Sequence, residues 1–414
     1  MDPVRFLVLS DLHAYAGVRT DRSPSLLNFA HYPAEASRRF ETCVEIVRQH
    51  GPISAILVAG DLSDWADEPA LRQAWAQLTR MSAALDAPVL ATAGNHDLDS
   101  RNLDNPLPNA ALMRLKPPFP FGTRESRGTY FSEHHAVHLT QNYVTVSINS
   151  AAAHGYRFGG GEEHEHGRFT PDMVDWVRQS LVAAGPLPDV RILLTHHHLA
   201  QLPDIDLVED ARAHGSDEML RMLSGFGDWI VVHGHKHRSW VQYASGGGDA
   251  PVLLSASTFS ANLDDEMHPG FSERVDHQFH LLEIDHSTAA QDGAWTGGSR
   301  GRIFTWSYSG VDWFPSGGGD TLNGISGFGW RVSVSNLAAR IRWALTSVRE
   351  KVSDEWLRAM EPRIEYLTFD DMNRLLRELE SGDPAVRHVL REDGTLSELF
   401  TDAAHVNPEA NDGV

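Results

Sequence analysis

Five stretches of this chain bring together side chains able to hold metal ions and move protons. They are Asp11-Leu12-His13, Gly60-Asp61-Leu62-Ser63-Asp64, Gly94-Asn95-His96-Asp97, Thr195-His196-His197-His198 and His233-Gly234-His235-Lys236-His237. Each follows an apolar run that reads as a buried strand: Val4 to Leu9, Ile53 to Ala59, Pro88 to Thr92, Val190 to Leu194 and Trp229 to Val232. Asp11 and His13 lie two residues apart, as do His235 and His237, so in extended chain each pair points one way and can chelate without backbone distortion. Asp61 offers two carboxylate oxygens that could bridge cations, Asn95 a neutral oxygen and His196 another imidazole. The glycine at 94 is expected to permit a sharp turn. Seven mixed nitrogen and oxygen ligands are too many for one tetrahedral ion and suit two ions sharing a carboxylate.

That donor set fits Mn, Fe, Co, Ni or Zn without choosing among them. Metal-bound water loses its proton near neutral pH and becomes a nucleophile. Two divalent cations against Asp11, Asp61 and one bridging hydroxide leave a local charge of about +1, enough to attract a phosphate ester.

The elements that must carry these clusters alternate strand, helix, strand, helix, strand. Amphipathic helices are expected from about Ala34 to His50 and Glu68 to Leu85, between continuous apolar strands. That pattern means an α/β fold with a parallel sheet covered on both faces. In such sheets ligands bind outside the carboxyl ends of the strands, where clusters spread from residue 11 to residue 237 converge. Periodicity is lost from Leu98 to about Glu133, a proline-broken insertion. Further strands follow at Tyr143 to Asn149, Trp240 to Ala244, Val252 to Ser255, Phe279 to Ile284 and Ile303 to Tyr308, the last four expected to be antiparallel, with helices over 171–184 and 217–223. Composition shifts near Ser309, giving a division into 1–308 and a C-terminal extension, 309–414, with helices at 335–352 and 370–379 and a frayed end.

Composition sets limits. The chain of 414 residues carries 35 Lys+Arg against 56 Asp+Glu, a net charge of −21. This disfavours general nucleic-acid binding, which draws on Lys and Arg. The single cysteine, Cys43, excludes an internal disulfide framework and reads as a buried small hydrophobe on a helical face. No basic leader precedes the first strand, and no apolar run approaches the ~20 residues that span a bilayer. A cytoplasmic protein with no membrane contact is expected.

In order, Asp11-Leu12-His13, Gly60 to Asp64, Gly94 to Asp97, His196 and Gly234-His235-Lys236-His237 resemble the five motifs of the calcineurin-like metallophosphoesterase superfamily, over roughly residues 4–260. The resemblance implies a four-layer αββα sandwich over a dinuclear metal site. It implies that Asp11, His13 and His237 hold one ion, that Asn95, His196 and His235 hold the other, and that Asp61 bridges. His96 would act on the phosphoryl group or leaving oxygen without binding metal, oriented by Asp97. The sequence Gly167-Arg168-Phe169-Thr170 before a helix bearing Trp176 is similar to the bacterial branch containing class III cyclic-nucleotide phosphodiesterases. One departure stands out: that branch has His-His-Pro where this chain has His196-His197-His198-Leu199, and alternation puts His198 on the same side as His196.

The expected function is hydrolysis of a small phosphodiester or cyclic nucleotide by a metal-bridging hydroxide. A phosphomonoesterase, a nuclease, or a metal-binding scaffold acting through the C-terminal region are the alternatives. Other polar residues read more simply. Asp64 is expected to stand behind the ligands or to form a turn, not to bind metal, His134, His135 and His138 to be surface or packing residues, and His154, His164 and His166 to lie in a solvated loop. The glycine runs 246–248 and 317–319 read as turns. Arg340, Arg342, Arg349 and Lys351 belong to an amphipathic helix docked on the main domain or on a partner chain, which could also mediate homo-oligomerisation.

Overall fold

The computed structural model describes every residue except Met1, 18–22, Leu103, 159–160, 163–165, 203–211, 247–249, 263–275, 286–297, 318–320, 349–350 and 402–414. His164, Arg349, Gly247, Gly248, Gly318, Gly319 and the last residues of the chain lie outside the described part.

The chain opens with the expected alternation: β1 (Val4–Leu9), α1 (Pro33–Arg48), β2 (Ala55–Val58), α2 (Glu68–Leu85) and β3 (Val89–Ala91). The three strands are parallel neighbours. Proline in the first turn sets the start of both helices, and the Asp67 side chain caps α2 by accepting from Ala70 N. Two short helices, α3 (Ala110–Met113) and α4 (Arg124–Ser132), occupy the insertion. They pack rather than loop freely: Leu112, Leu115, Phe119 and Tyr130 join the core under α1 and α2.

The second half of the sandwich follows: β4 (His135–Leu139), β5 (Tyr143–Ile148), a minor pair β6 (Arg157–Phe158) and β7 (Gly161–Glu162), α5 (Pro171–Ala184), β8 (Val190–Leu194), α6 (Ser216–Ser224), β9 (Ile230–His233), β10 (Trp240–Tyr243) and β11 (Val252–Ser255). Its six-stranded sheet runs β10-β11-β9-β8-β5-β4. The strand at 252–255 is antiparallel to β10 but parallel to β9, so it is less uniform than expected. The chain then returns through β12 (Gln278–Asp285), β13 (Arg300–Tyr308), β14 (Trp313–Pro315) and β15 (Ile325–Phe328) to complete a seven-stranded first sheet.

The two sheets face each other across a core that includes Phe6 and Val8 of β1, Leu57 of β2, Ile192 of β8 and Val232 of β9. Each fully buried side chain of this size contributes about 1.5–3 kcal/mol. Helices α1 and α2 cover the outer face of the first sheet, and α5 and α6 that of the second. This is the αββα sandwich. Cys43 is buried in the α1 layer.

The expected division after 308 falls inside the first sheet, because β14 and β15 both pair with β13. The extension forms its own core from Trp330 onward, with α7 (Val334–Val348), β16 (Lys351–Ser353), α8 (Asp354–Met360), α9 (Phe369–Ser381), β17 (Val386–Leu390) and β18 (Leu396–Thr401). Alongside the helices it carries an antiparallel sheet, β16-β18-β17, that the composition did not foretell. The amphipathic helix docks within the extension: Arg340 pairs with Glu361 at 3.1 Å, and Arg342 donates to Glu378 O. It ends at Val348, so Lys351, expected on the helix, lies on β16 and pairs with Glu398 of β18 at 2.8 Å. No helix among the described residues is long and apolar enough to cross a membrane.

Candidate metal centre

The strand ends converge at the carboxyl edge of both sheets. Asp61 Oδ2 lies 3.3 Å from His13 Nε2 and 3.3 Å from His196 Nε2. On the His13 side, Asp11 Oδ1 stands 3.9 Å from His13 Nε2 and 3.2 Å from His237 Nε2. On the His196 side, Asn95 Oδ1 is 3.0 Å from His196 Nε2 and 3.2 Å from His235 Nδ1. All seven expected ligands therefore meet in two groups that share one carboxylate oxygen.

The backbone that delivers them is not the extended chain expected. Asp11, His13, Asp61, His235 and His237 all have positive φ, between 45° and 79°. Asp and His tolerate this left-handed region better than most side chains, yet each instance costs about 1–3 kcal/mol and must be held by its surroundings. Two glycines provide that hold by close approach. A methyl group on Gly94 would lie 2.1 Å from Asp61 Oδ1 and one on Gly234 2.4 Å from Asp11 Oδ2. Gly94 itself has φ −100° and ψ 177°, ordinary extended backbone, so it serves proximity to Asp61 and not a turn.

Electrostatics match a cation site. Burial works to raise the Asp61 carboxyl, but His196, His96 and His13 hold it well below the usual carboxylate range. Asp11 is likewise held low by His237 and His13 against the effect of burial. His196 is pushed up to about 9, burial being overcome by Asp61. His196 Nδ1 faces Ala59 O at 2.8 Å and so carries a proton, which leaves Nε2 as the atom that can take a metal in place of its proton. Among the described residues, His13 Nε2 is buried with no hydrogen-bond partner. Donor atoms about 3–4 Å apart span the edges of coordination shells with bonds of about 2.1 Å. The residues present thus fit two divalent ions.

His198 does not compete for this position. Its ring stacks toward His233 and His235, with centroids 6.0 and 6.1 Å away. His197, which the sequence did not single out, is closer to the ligands: its ring centroid is 4.5 Å from that of His235, and its Nδ1 meets Ser150 Oγ at 2.8 Å. His154 is fully buried against His197, not in a solvated loop.

The expected orientation of His96 by Asp97 is not what the structure shows. Asp97 accepts from Ser63 N and Gly94 N, each at 2.9 Å, and so ties two ligand loops together. Burial, then the Asp61 charge, pushes its carboxyl up to about 7. The partner of His96 is Asp64, whose Oδ1 lies 2.9 Å from His96 Nδ1 and 3.5 Å from His13 Nδ1. Of the two roles expected for Asp64, support behind the ligands or a turn, the structure shows the first. Its place in Gly60-Asp61-Leu62-Ser63-Asp64 was the available signal.

Residues 4–248 match the family model of the calcineurin-like phosphoesterases. The chain belongs to the calcineurin-like phosphoesterase family. Among curated proteins, this phosphoesterase-family chain is similar to a probable cyclic nucleotide phosphodiesterase of Rhodopseudomonas palustris, 33% identical over 95 residues. That alignment covers 23% of this chain and 30% of the relative, so the two are matched over well under half of either length. Among solved structures, a dimetal phosphatase from Danio rerio aligns with 76% of this chain and 98% of its own at 12% identity and a TM-score of 0.47. GAP50, described as the anchor in the inner membrane complex of Plasmodium, aligns with 75% of this chain and 87% of its own at 10% identity and a TM-score of 0.43. Likenesses of this size leave the family assignment resting on the sequence match.

Proposed function

We propose that the protein is a phosphoester hydrolase dependent on two divalent metal ions, acting on a small phosphodiester such as a cyclic nucleotide. The observation that carries this is the position of Asp61 Oδ2, equidistant from His13 Nε2 and His196 Nε2 between two ligand groups. Asp11, His13 and His237 would hold one ion, and Asn95, His196 and His235 the other. Bound there, such ions supply Lewis-acid polarisation of a phosphoryl oxygen and acidify water.

The chain's own contribution beyond the ligands centres on His96. Asp64 accepts from His96 Nδ1, which leaves Nε2 as the ring atom that exchanges a proton with the leaving oxygen or steadies a phosphoryl oxygen. His96 N also donates to Asp61 Oδ1 at 2.8 Å, which fixes the backbone of the acid–base residue to the bridging carboxylate. The catalytic pair we propose is thus His96 with Asp64, with Asp97 as the brace of the loops behind them.

The preference for a diester draws on the similarity to the Rhodopseudomonas protein and on Gly167-Arg168-Phe169-Thr170. A small substrate fits the formal charge of −21, which disfavours long nucleic acids. The single cysteine and the composition support a cytoplasmic setting. The test is hydrolysis of bis-(p-nitrophenyl) phosphate with added Mn²⁺, beside p-nitrophenyl phosphate and single-stranded DNA. Diester turnover that exceeds the other two and vanishes in Asp61→Ala is expected. Unchanged turnover in that variant would overturn the site, and faster monoester or DNA cleavage would overturn the substrate class.

A further inference from the structure

The residue after Asp64 is a tryptophan whose placement costs the chain something. Trp65 has φ 50° and Ala66 φ 54°, two consecutive left-handed residues. A bulky aromatic residue in that region is a genuine outlier, kept only where its surroundings over-determine it. Here both neighbours are tied to His96. Asp64 Oδ1 holds the His96 ring, and Ala66 N donates to His96 O at 2.7 Å. Asp67, next in line, accepts from Ala16 N at 2.9 Å and Ala70 N at 3.1 Å, and so anchors the turn to α2 and to the loop after His13.

Despite this framework, the indole is not packed away: Trp65 is 57% exposed. It stands one residue from Asp64, the partner of His96. The His96 side chain is 21% accessible, against 15% for His237, 6% for His13 and 2% for Asp61. Arg101, exposed and four residues beyond Asp97, sets its guanidinium carbon 5.0 Å from the centre of the indole ring. A flat hydrophobic face and a cation thus stand together beside the Asp64–His96 pair, in a chain of net charge −21. A tryptophan in strained backbone with more than half of its surface exposed contributes little to the core. Its worth is to a ligand with a π-face and negative charge.

We infer that Trp65 and Arg101 form the recognition platform for the nucleobase of a nucleotide substrate whose phosphoryl group enters the metal centre. The inference rests on the phosphoesterase reading above. It adds what that reading lacks, a reason within the chain for a nucleotide over an aliphatic ester. The base stacks on the indole, the guanidinium supplies charge to the stack, and His96, held from both sides of Trp65, meets the phosphoryl group. Stacking of this kind tolerates many bases, because every base has a π-face, so the platform selects nucleotides as a class.

The test is calorimetric titration of the Mn²⁺-loaded protein with adenosine 5′-monophosphate, ribose 5-phosphate and inorganic phosphate. The wild type should bind the nucleotide about ten-fold more tightly than ribose 5-phosphate, the gain expected of one aromatic–base stack. Trp65→Ala should abolish that gap and leave inorganic phosphate binding unchanged, Trp65→Phe should keep most of it, and Arg101→Gln should narrow it. Melting curves of the variants establish that each is folded. Equal affinity for nucleotide and ribose 5-phosphate, with phosphate binding lost only in Asp61→Ala, would overturn the platform while sparing the hydrolase reading. Failure of all three ligands to bind, or binding indifferent to Asp61→Ala, would overturn both.

Discussion

Asp64 Oδ1 lies 2.9 Å from His96 Nδ1 and 3.5 Å from His13 Nδ1, so one carboxylate oxygen serves both the acid–base histidine and a metal ligand. Burial works to raise the Asp64 carboxyl, but the two imidazoles hold it well below its ordinary range. Asp64→Ala should therefore lower turnover and also weaken metal binding through His13, by about ten- to a hundred-fold as for other partners of metal-bound histidines. His96→Ala should lower turnover alone, by about 10²–10⁴. Parallel kcat measurements and metal titrations check the difference, and equal loss of metal in both variants would contradict the division of roles.

Gly94→Ala should unseat the bridging carboxylate. The added methyl group would sit 2.1 Å from Asp61 Oδ1 and 2.4 Å from Asp61 N, distances that require Asp61 to move. Loss of metal with little loss of fold is the expected outcome, read by metal content and melting temperature together. Full metal content in this variant would show that Asp61 has slack the structure does not display.

The insertion should prove to be part of the centre's support. Tyr130 Oη accepts from Ala93 N at 2.8 Å and lies 2.9 Å from Thr92 Oγ1, which donates to Ile148 O. This chain of bonds ties the β3 end to β5. Tyr130→Phe leaves a buried backbone N–H without its acceptor, at a cost of about 1–3 kcal/mol. A lower denaturant midpoint and weaker metal affinity are expected, and no change in either would argue that the loop stands unaided.

Stability should also depend on His280. It is fully buried on β12, with Nδ1 3.0 Å from Thr305 Oγ1, and burial holds its pKa down to about 3. The unfolded chain titrates near 6.5 and takes up a proton that the folded chain refuses. The stability tied to this neutral imidazole is therefore fully present above about pH 6.5 and is lost progressively as pH falls toward 3. Between pH 7 and 4.5 the loss from this one group is about 2 kcal/mol. In His280→Asn the fall in unfolding free energy over that range, read from urea titrations, should be shallower by this amount, and an unchanged slope would place the proton elsewhere.

The centre was largely legible because each apolar strand stops abruptly at residues that a core rejects. Asp11, His13, Asp61, Asn95, His196, His235 and His237 all converge as the five motifs suggested. What sequence concealed is how they are held. Positive φ at Asp11, His13 and the two C-terminal histidines depends on loop packing that no spacing rule reports. Asp64 and Asp97 are both aspartates beside motif residues, and only their hydrogen bonds show that Asp64 holds His96 while Asp97 joins Ser63 to Gly94. The sheet of the C-terminal extension was obscured by short strands such as Val386–Leu390, Val-Arg-His-Val-Leu, too brief and too mixed to alternate clearly. The strand Ile325–Phe328 contains a glycine, which weakens its signal; a methyl group on Gly327 would lie 2.1 Å from Glu365 O and 2.7 Å from Leu367 O.

The most direct measurement is the number of Mn²⁺ ions bound per chain, by equilibrium dialysis, in the wild type and in Asp61→Asn. Asp61 Oδ2 between His13 and His196 predicts two ions in the wild type and at most one at the same free metal concentration in the variant. Two ions bound with unchanged affinity in Asp61→Asn, or one ion in the wild type at saturation, would contradict a centre bridged by this carboxylate.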